Sequence, residues 1–136
     1  MNGYIAVDLD GTLALYDGWK GIEHIGEPVP LMLNRVKKWL SKGIEVKIFT
    51  ARVCDGKQET IDYIHKWCSK HIGRVLEVTN VKDYKMVALW DDRAKQVIPN
   101  EGIAIEDMLK DKSSEKIVKI INDFIVKTLE DKTVSE

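Results

Sequence analysis

Cysteine is scarce in this chain, with two residues, Cys54 and Cys68, among 136. They form no CxxC pair and no zinc-ligand spacing, which argues against a disulfide framework and for reduced thiols. Long apolar runs are also missing. No stretch approaches the ~20 residues of a membrane span, and no basic segment followed by an apolar one opens the chain, so no signal peptide is expected. An excess of one charge is lacking too. The chain has 21 basic and 22 acidic residues and a net charge of −1, so charge gives no argument for nucleic acid or a membrane surface as a partner. Internal repeats and low-complexity segments are absent. A cytoplasmic protein is the expectation.

What is present is a domain-sized length and a hydrophobic content of 44%, enough for one packed core. The informative stretch is Tyr4-Ile5-Ala6-Val7-Asp8-Leu9-Asp10-Gly11-Thr12-Leu13. Residues 4 to 7 read as a short buried strand ended by a turn signal. An Asp-Gly turn accounts for Asp10-Gly11 but not for Asp8, an acid at the end of an apolar strand. Such an acid is costly unless something compensates it. Strand ends are also where open α/β sheets bind ligands.

The segment 13–27 reads as a flap loop or small hairpin, because Gly18, Gly21 and Gly26 argue against a helix. Pro28 and Pro30 punctuate a helix start, with Leu33, Val36 and Leu40 on one face, Trp39 beside it and Gly43 at its end. Residues 44–50 form a second strand that alternates and ends at Thr50-Ala51-Arg52. A helix over 56–72 places Ile61, Ile64 and Cys68 on one face, with Cys54 in a polar loop before it. Residues 75–79 and 86–90 are further strands, the latter wholly apolar and ending on Asp91-Asp92. Residues 103–105 read as a last short strand, or 105–109 as the start of a helical turn. Ser113 or Ser114 caps a final helix to about residue 131, whose stripe Ile117, Ile120, Ile121, Phe124, Ile125 and Leu129 suits packing on the sheet. Residues 132–136 are expected to fray.

Strands alternating with helices give an α/β class. If the strands are parallel, as helical crossovers imply, Asp8, Asp10, Thr50, Asp91 and Asp92 gather at one sheet edge with Lys82. Such a carboxylate cluster needs a cation. Hard oxygen ligands suit Mg²⁺, and the lack of Cys or His beside them disfavours zinc.

The ordered set resembles the haloacid dehalogenase (HAD) superfamily of aspartate-nucleophile phosphatases. Asp8-Leu9-Asp10-Gly11-Thr12 is similar to its first motif, Phe49-Thr50 to the second, Lys82 to the third and Asp91-Asp92 to the fourth. The stretch Trp90-Asp91-Asp92-Arg93-Ala94 looks like small phage and bacterial members. The resemblance implies a Rossmann-like three-layer sandwich with a central mainly parallel sheet, and a Mg²⁺-dependent phosphohydrolase acting on phosphomonoesters. Asp8 would be the nucleophile and form an aspartyl-phosphate. Asp10 would be the general acid and base. Thr50 and Lys82, with Lys85 the competitor for the lysine role, would bind phosphoryl oxygens. Thr12 and Arg52 would contact substrate, Arg52 through a second anionic group or, equally, as a structural ion pair. Asp8, the Asp10 backbone carbonyl, and Asp91 or Asp92 would hold Mg²⁺. Asp83 stands where family members often have proline after the lysine.

Within that family a cap domain enters after the first strand or between the second and third motifs. Neither 13–27 nor 50–82 leaves room for one, so a single HAD-like core without a cap over 1–131 is expected, with an open site. Open sites suit large substrates or a partner that completes them. A nucleotide, a nucleic-acid end, a sugar phosphate, a phosphoprotein and a homo-oligomeric site all stay open. The competing class is an idle phosphate- and metal-binding module of the same fold. A receiver domain is disfavoured, because its chain order of acid pair, aspartate, threonine and lysine is not the order found here.

Overall fold

The computed structural model describes residues 2–110 and 115–135, with backbone alone at 110, 116, 117 and 130–135. It divides into two compact units, Met1–Asp92 and Arg93–Glu136. The first holds a four-stranded sheet of β1 (Tyr4–Asp8), β2 (Glu45–Phe49), β3 (Val78–Thr79) and β4 (Met86–Trp90) in the order β3-β2-β1-β4. Every pairing is parallel: Tyr4 to Asp8 of β1 lie opposite Glu45 to Phe49 of β2, and Val7 lies opposite Trp90. The expected α/β class with a Rossmann-like core is what the structure has.

Helices α1 (Pro30–Ser41) and α2 (Gln58–His71) make the crossovers from β1 to β2 and from β2 to β3. Both crossovers step the same way along the sheet, so right-handed connections put both helices on one face. The core agrees: Ile5 and Val7 of β1, Val46 and Ile48 of β2, Met32 and Val36 of α1, and Ile64, Trp67 and Cys68 of α2 form one buried cluster. Burial pushes the Cys68 thiol up to about 11, so it packs as an apolar group. In α2 the inward face is Thr60, Ile64, Trp67 and Cys68, with Ile61 half-buried at its margin.

Two expectations shift. The helix expected from residue 56 begins at Gln58, and Ala51–Asp55 before it is a 3₁₀ turn rather than a polar loop; Cys54 is exposed on that turn. The third strand shrinks to Val78–Thr79. The link from β3 to β4 has no helix: residues 80–85 return directly to the amino-terminal end of β1, where the Tyr4 amide donates to the Lys85 carbonyl at 2.9 Å. Asp83 of this link stands beside the Tyr4 hydroxyl, and burial first, then Asp83, push that hydroxyl's pKa up. Although apolar throughout, β4 is an edge strand and Val87 is exposed. Composition cannot separate edge from central strands, since edge position depends on partners rather than on the strand's own residues.

In the second unit Val97 bridges Ala104 across a turn with Asn100 and Gly102 at positive φ, and α3 (Ile105–Lys110) follows. So residues 103–105 supply both a bridge and a helix start. Helix α4 (Glu115–Ser135) extends past the expected end and contacts α3. Its Ile120, Ile121 and Phe124 are half-buried while Ile125 and Leu129 are exposed. The expected caps Ser113 and Ser114 lie outside the described residues. No helix among the described residues is long and apolar enough to cross a membrane.

Candidate metal and phosphoryl site

Parallel pairing makes the carboxyl ends of the strands one edge, and there β1 ends on Asp8, β2 leads into Thr50, and β4 leads into Asp91-Asp92. One carboxylate oxygen each from Asp8, Asp91 and Asp92 lie within 4.8 Å of one another. Asp8 and Asp91 are half-buried and Asp92 is exposed. Burial, a hydrogen bond with the Asp92 side chain and the charges of Asp91 and Asp92 together push the Asp8 carboxyl up from its ordinary range to about 7. Like charges this close disfavour joint ionisation, and a cation would remove the conflict.

The turn after β1 is wound around one carbonyl. The amides of Thr12, Leu13 and Ala14 all donate to the Leu9 carbonyl at 2.8–3.3 Å, and Leu9 and Leu13 are fully buried. Two apolar anchors thus hold the acids at the edge. Gly11 sits at φ +86°, and a Cβ there would stand 2.5 Å from Asp92 Oδ2. Glycine is therefore favoured by the backbone conformation, and a side chain there would displace the Asp92 carboxylate. Thr12 Oγ1 donates to Asp8 Oδ2 at a long 3.4 Å.

Thr50 is 2% exposed, and its hydroxyl oxygen accepts from the Arg52 amide at 3.2 Å, capping the 3₁₀ turn. Its amide donates to the Thr79 carbonyl at 3.0 Å, fixing it to β3.

Asp10 is outside the trio. Arg52 Nε and Nη2 donate to its two carboxylate oxygens at 2.7 and 2.8 Å. The same guanidinium donates to the backbone carbonyls of Ile22 at 3.4 Å and His24 at 2.9 Å, and lies 4.9 Å from the Trp19 ring centre. The Arg52 side chain is 5% exposed. This ion pair spans 42 residues of sequence, and nothing local in Thr50-Ala51-Arg52 names its partner. The arginine is visible in the sequence, and its bond to Asp10 is not.

The lysines separate by position. Lys82 is exposed, three residues beyond Thr79 in the link from β3. Lys85 is also exposed, but its carbonyl bonds the Tyr4 amide at the opposite, amino-terminal edge. The structure therefore brings Asp8, Asp91 and Asp92 together with Thr12 and Thr50 near them, joins Arg52 to Asp10, and does not bring Lys85 to the acids.

Carboxylate oxygens alone are a hard donor set of the kind that suits Mg²⁺. Asp8, Asp91 and Asp92 could together ligate a metal ion.

No protein-family model matches the chain, and no curated protein matches it. A solved structure of a conserved protein from Bacteroides thetaiotaomicron is similar: 25% identity, covering 85% of this chain and 95% of that one, with a TM-score of 0.53. That likeness supports a small α/β domain of Rossmann-like form, with a parallel sheet flanked by helices.

Proposed function

We propose that the carboxyl edge of the sheet binds Mg²⁺ together with a phosphoryl group, and that the reaction it supports is hydrolysis of a phosphomonoester through Asp8. The observation that carries this is the trio Asp8, Asp91 and Asp92 at the strand ends, with the Asp8 carboxyl raised by burial and by its acidic neighbours. The order of residues along the chain, which resembles the HAD superfamily, supports the chemistry. Bound Mg²⁺ would neutralise these carboxylates and polarise the phosphoryl oxygens. Asp8 would attack phosphorus as the leaving oxygen departs, giving an aspartyl-phosphate that water then hydrolyses. Thr50 would donate its hydroxyl to a phosphoryl oxygen, and Lys82, from the link beyond β3, would add a positive charge. Asp10 would give a proton to the leaving oxygen and take one from the attacking water. Catalysis of this kind rests mainly on positioning and charge stabilisation.

One observation favours a second reading, a module that binds cation and phosphate without turnover. Both Asp10 oxygens accept from Arg52, so the carboxylate is engaged in an ion pair.

A single experiment separates the readings. Phosphate release is followed from nucleotides, sugar phosphates and oligonucleotides bearing 3′ or 5′ phosphates, with Mg²⁺ or with chelator, for the wild type and Asp8→Asn. Release that needs both Mg²⁺ and Asp8 establishes the hydrolase. Mg²⁺ and phosphate binding with no release from any substrate establishes the module. Release that survives Asp8→Asn removes Asp8 from the chemistry.

A further inference from the structure

The segment 13–27 is held at two places. At its neck, Leu15 donates to the Glu27 carbonyl and Val29 to the Leu13 carbonyl, both at 2.8 Å. The Trp67 indole of α2 donates to the Gly26 carbonyl at 2.9 Å. Gly26 leaves no space for a side chain, since a Cβ would collide with the Leu15 carbonyl. These contacts tie the neck to the core and do not involve the acids.

The tip, in contrast, is tied to the site through Arg52, while Ile25 beyond it packs against the core. Arg52 takes the carbonyls of Ile22 and His24, lies against the exposed Trp19 ring, and places its remaining donors on Asp10. Within the tip itself, the His24 amide donates to the Gly21 carbonyl at 3.3 Å. A planar guanidinium can satisfy a carboxylate bidentately and still hold two carbonyls, which a lysine ammonium cannot do in the same plane.

We infer that Arg52 is a latch and a positioning residue: it holds the tip of the flap closed and, with the same guanidinium, fixes the orientation of the Asp10 carboxylate. The two functions share donors, so flap position and Asp10 geometry change together. Opening of the tip loosens Asp10, and any group that pulls Asp10 toward itself frees the tip. The effect of Arg52 on turnover, as distinct from its effect on the flap, rests on the phosphohydrolase reading.

Hydrogen exchange tests the latch without reference to activity. In Arg52→Ala and in Asp10→Asn, amides of residues 17–24 should exchange at least about tenfold faster. The neck amides of Leu15 and Val29 and those of the sheet should not change. Arg52→Lys, which keeps the charge but not the fork, should fall between. Unchanged exchange at the tip in Arg52→Lys and Asp10→Asn overturns the latch, and so does loosening that spreads evenly over neck and sheet. The positioning effect is read from the kinetics of the same variants. Arg52→Ala should lose about a hundredfold in kcat, the scale of a displaced catalytic group, with KM changed less than about threefold. Added guanidinium ion should restore part of kcat. A loss confined to KM, or no rescue in a variant with wild-type melting, overturns the positioning role. If the wild-type protein releases no phosphate, the phosphohydrolase reading fails, while the exchange data still decide the latch.

Discussion

Asp8 is the residue whose charge opposes the fold most clearly. Its carboxyl titrates near 7 in the folded chain against an ordinary value of 3.8, because burial and two neighbouring acids disfavour the ionised form. As pH rises, the unfolded chain loses this proton first and the folded chain keeps it. Between about pH 4 and pH 7 the native state therefore binds more protons, and stability falls as pH rises across that window. Below the window the group contributes nothing; above it the full penalty stands. Asp8→Asn removes the charge while keeping the shape. The variant should melt higher than wild type at pH 8 in chelator, by about 4 °C for each kcal/mol relieved, and close to wild type at pH 4. Thermal unfolding at the two pH values checks this. Equal melting at pH 8 would mean that Asp91 and Asp92 do not burden Asp8. At the same scale, Gly11→Ala adds a Cβ at positive φ and 2.5 Å from Asp92 Oδ2. The backbone strain alone is about 1–2 kcal/mol. The displaced Asp92 should weaken Mg²⁺ binding several-fold, readable by calorimetric titration.

The elements divide into those whose signal is local and those whose signal is not. β1 is legible because four apolar residues in a row that run straight into acids suit a buried strand and little else. β2 is legible because its alternation survives as buried Val46 and Ile48 between exposed Glu45 and half-buried Lys47. β3 is shorter than its apolar residues suggest. Val75 is exposed and Leu76 buried, yet only Val78 and Thr79 pair with β2. The 3₁₀ turn is hidden in the sequence because its cap, the Thr50 hydroxyl on the Arg52 amide, is one weak signal inside a polar run. The flap is the intermediate case. Its glycines mark it as non-helical, but its attachments, Trp67 to Gly26 and Arg52 to the tip, join residues that lie 41 and 28 apart and leave no local trace. The neck carries its own test. Trp67→Phe keeps the ring in the core and removes the indole donor, leaving the Gly26 carbonyl without its partner. A loss of about 1 kcal/mol is expected, measured by denaturant unfolding. Exchange at the Leu15 amide should quicken while Arg52 still holds the tip.

At the scale of the molecule, the parallel sheet converts sequence order into a site. Residues 8, 50 and the pair 91–92 are far apart along the chain, and their meeting depends on β1 lying between β2 and β4 with all three pointing the same way. The acid trio is legible for that reason: each acid ends an apolar strand, and parallel strands share an edge. The direct link from β3 to β4, which sends Lys85 to the far edge, is not legible, because a short stretch without a helix carries no record of the path it takes. A site assembled from separate strands should couple to global stability. A Mg²⁺ ion held by this trio would bind only when the sheet has brought β1 and β4 together, so it would stabilise the native state by mass action, by about 2.7 kcal/mol at a hundredfold excess over its dissociation constant. Protons compete for the same oxygens, since Asp8 must ionise to bind. The melting temperature gained on adding Mg²⁺ should therefore be small at pH 5, rise through pH 7 and level off above pH 8. In Asp91→Asn and Asp92→Asn the gain should shrink, and the variant that loses more of it identifies the carboxylate closer to the cation. A gain that is equal at pH 5 and pH 8 would show that the ion binds elsewhere, since no site that includes Asp8 can be indifferent to its proton.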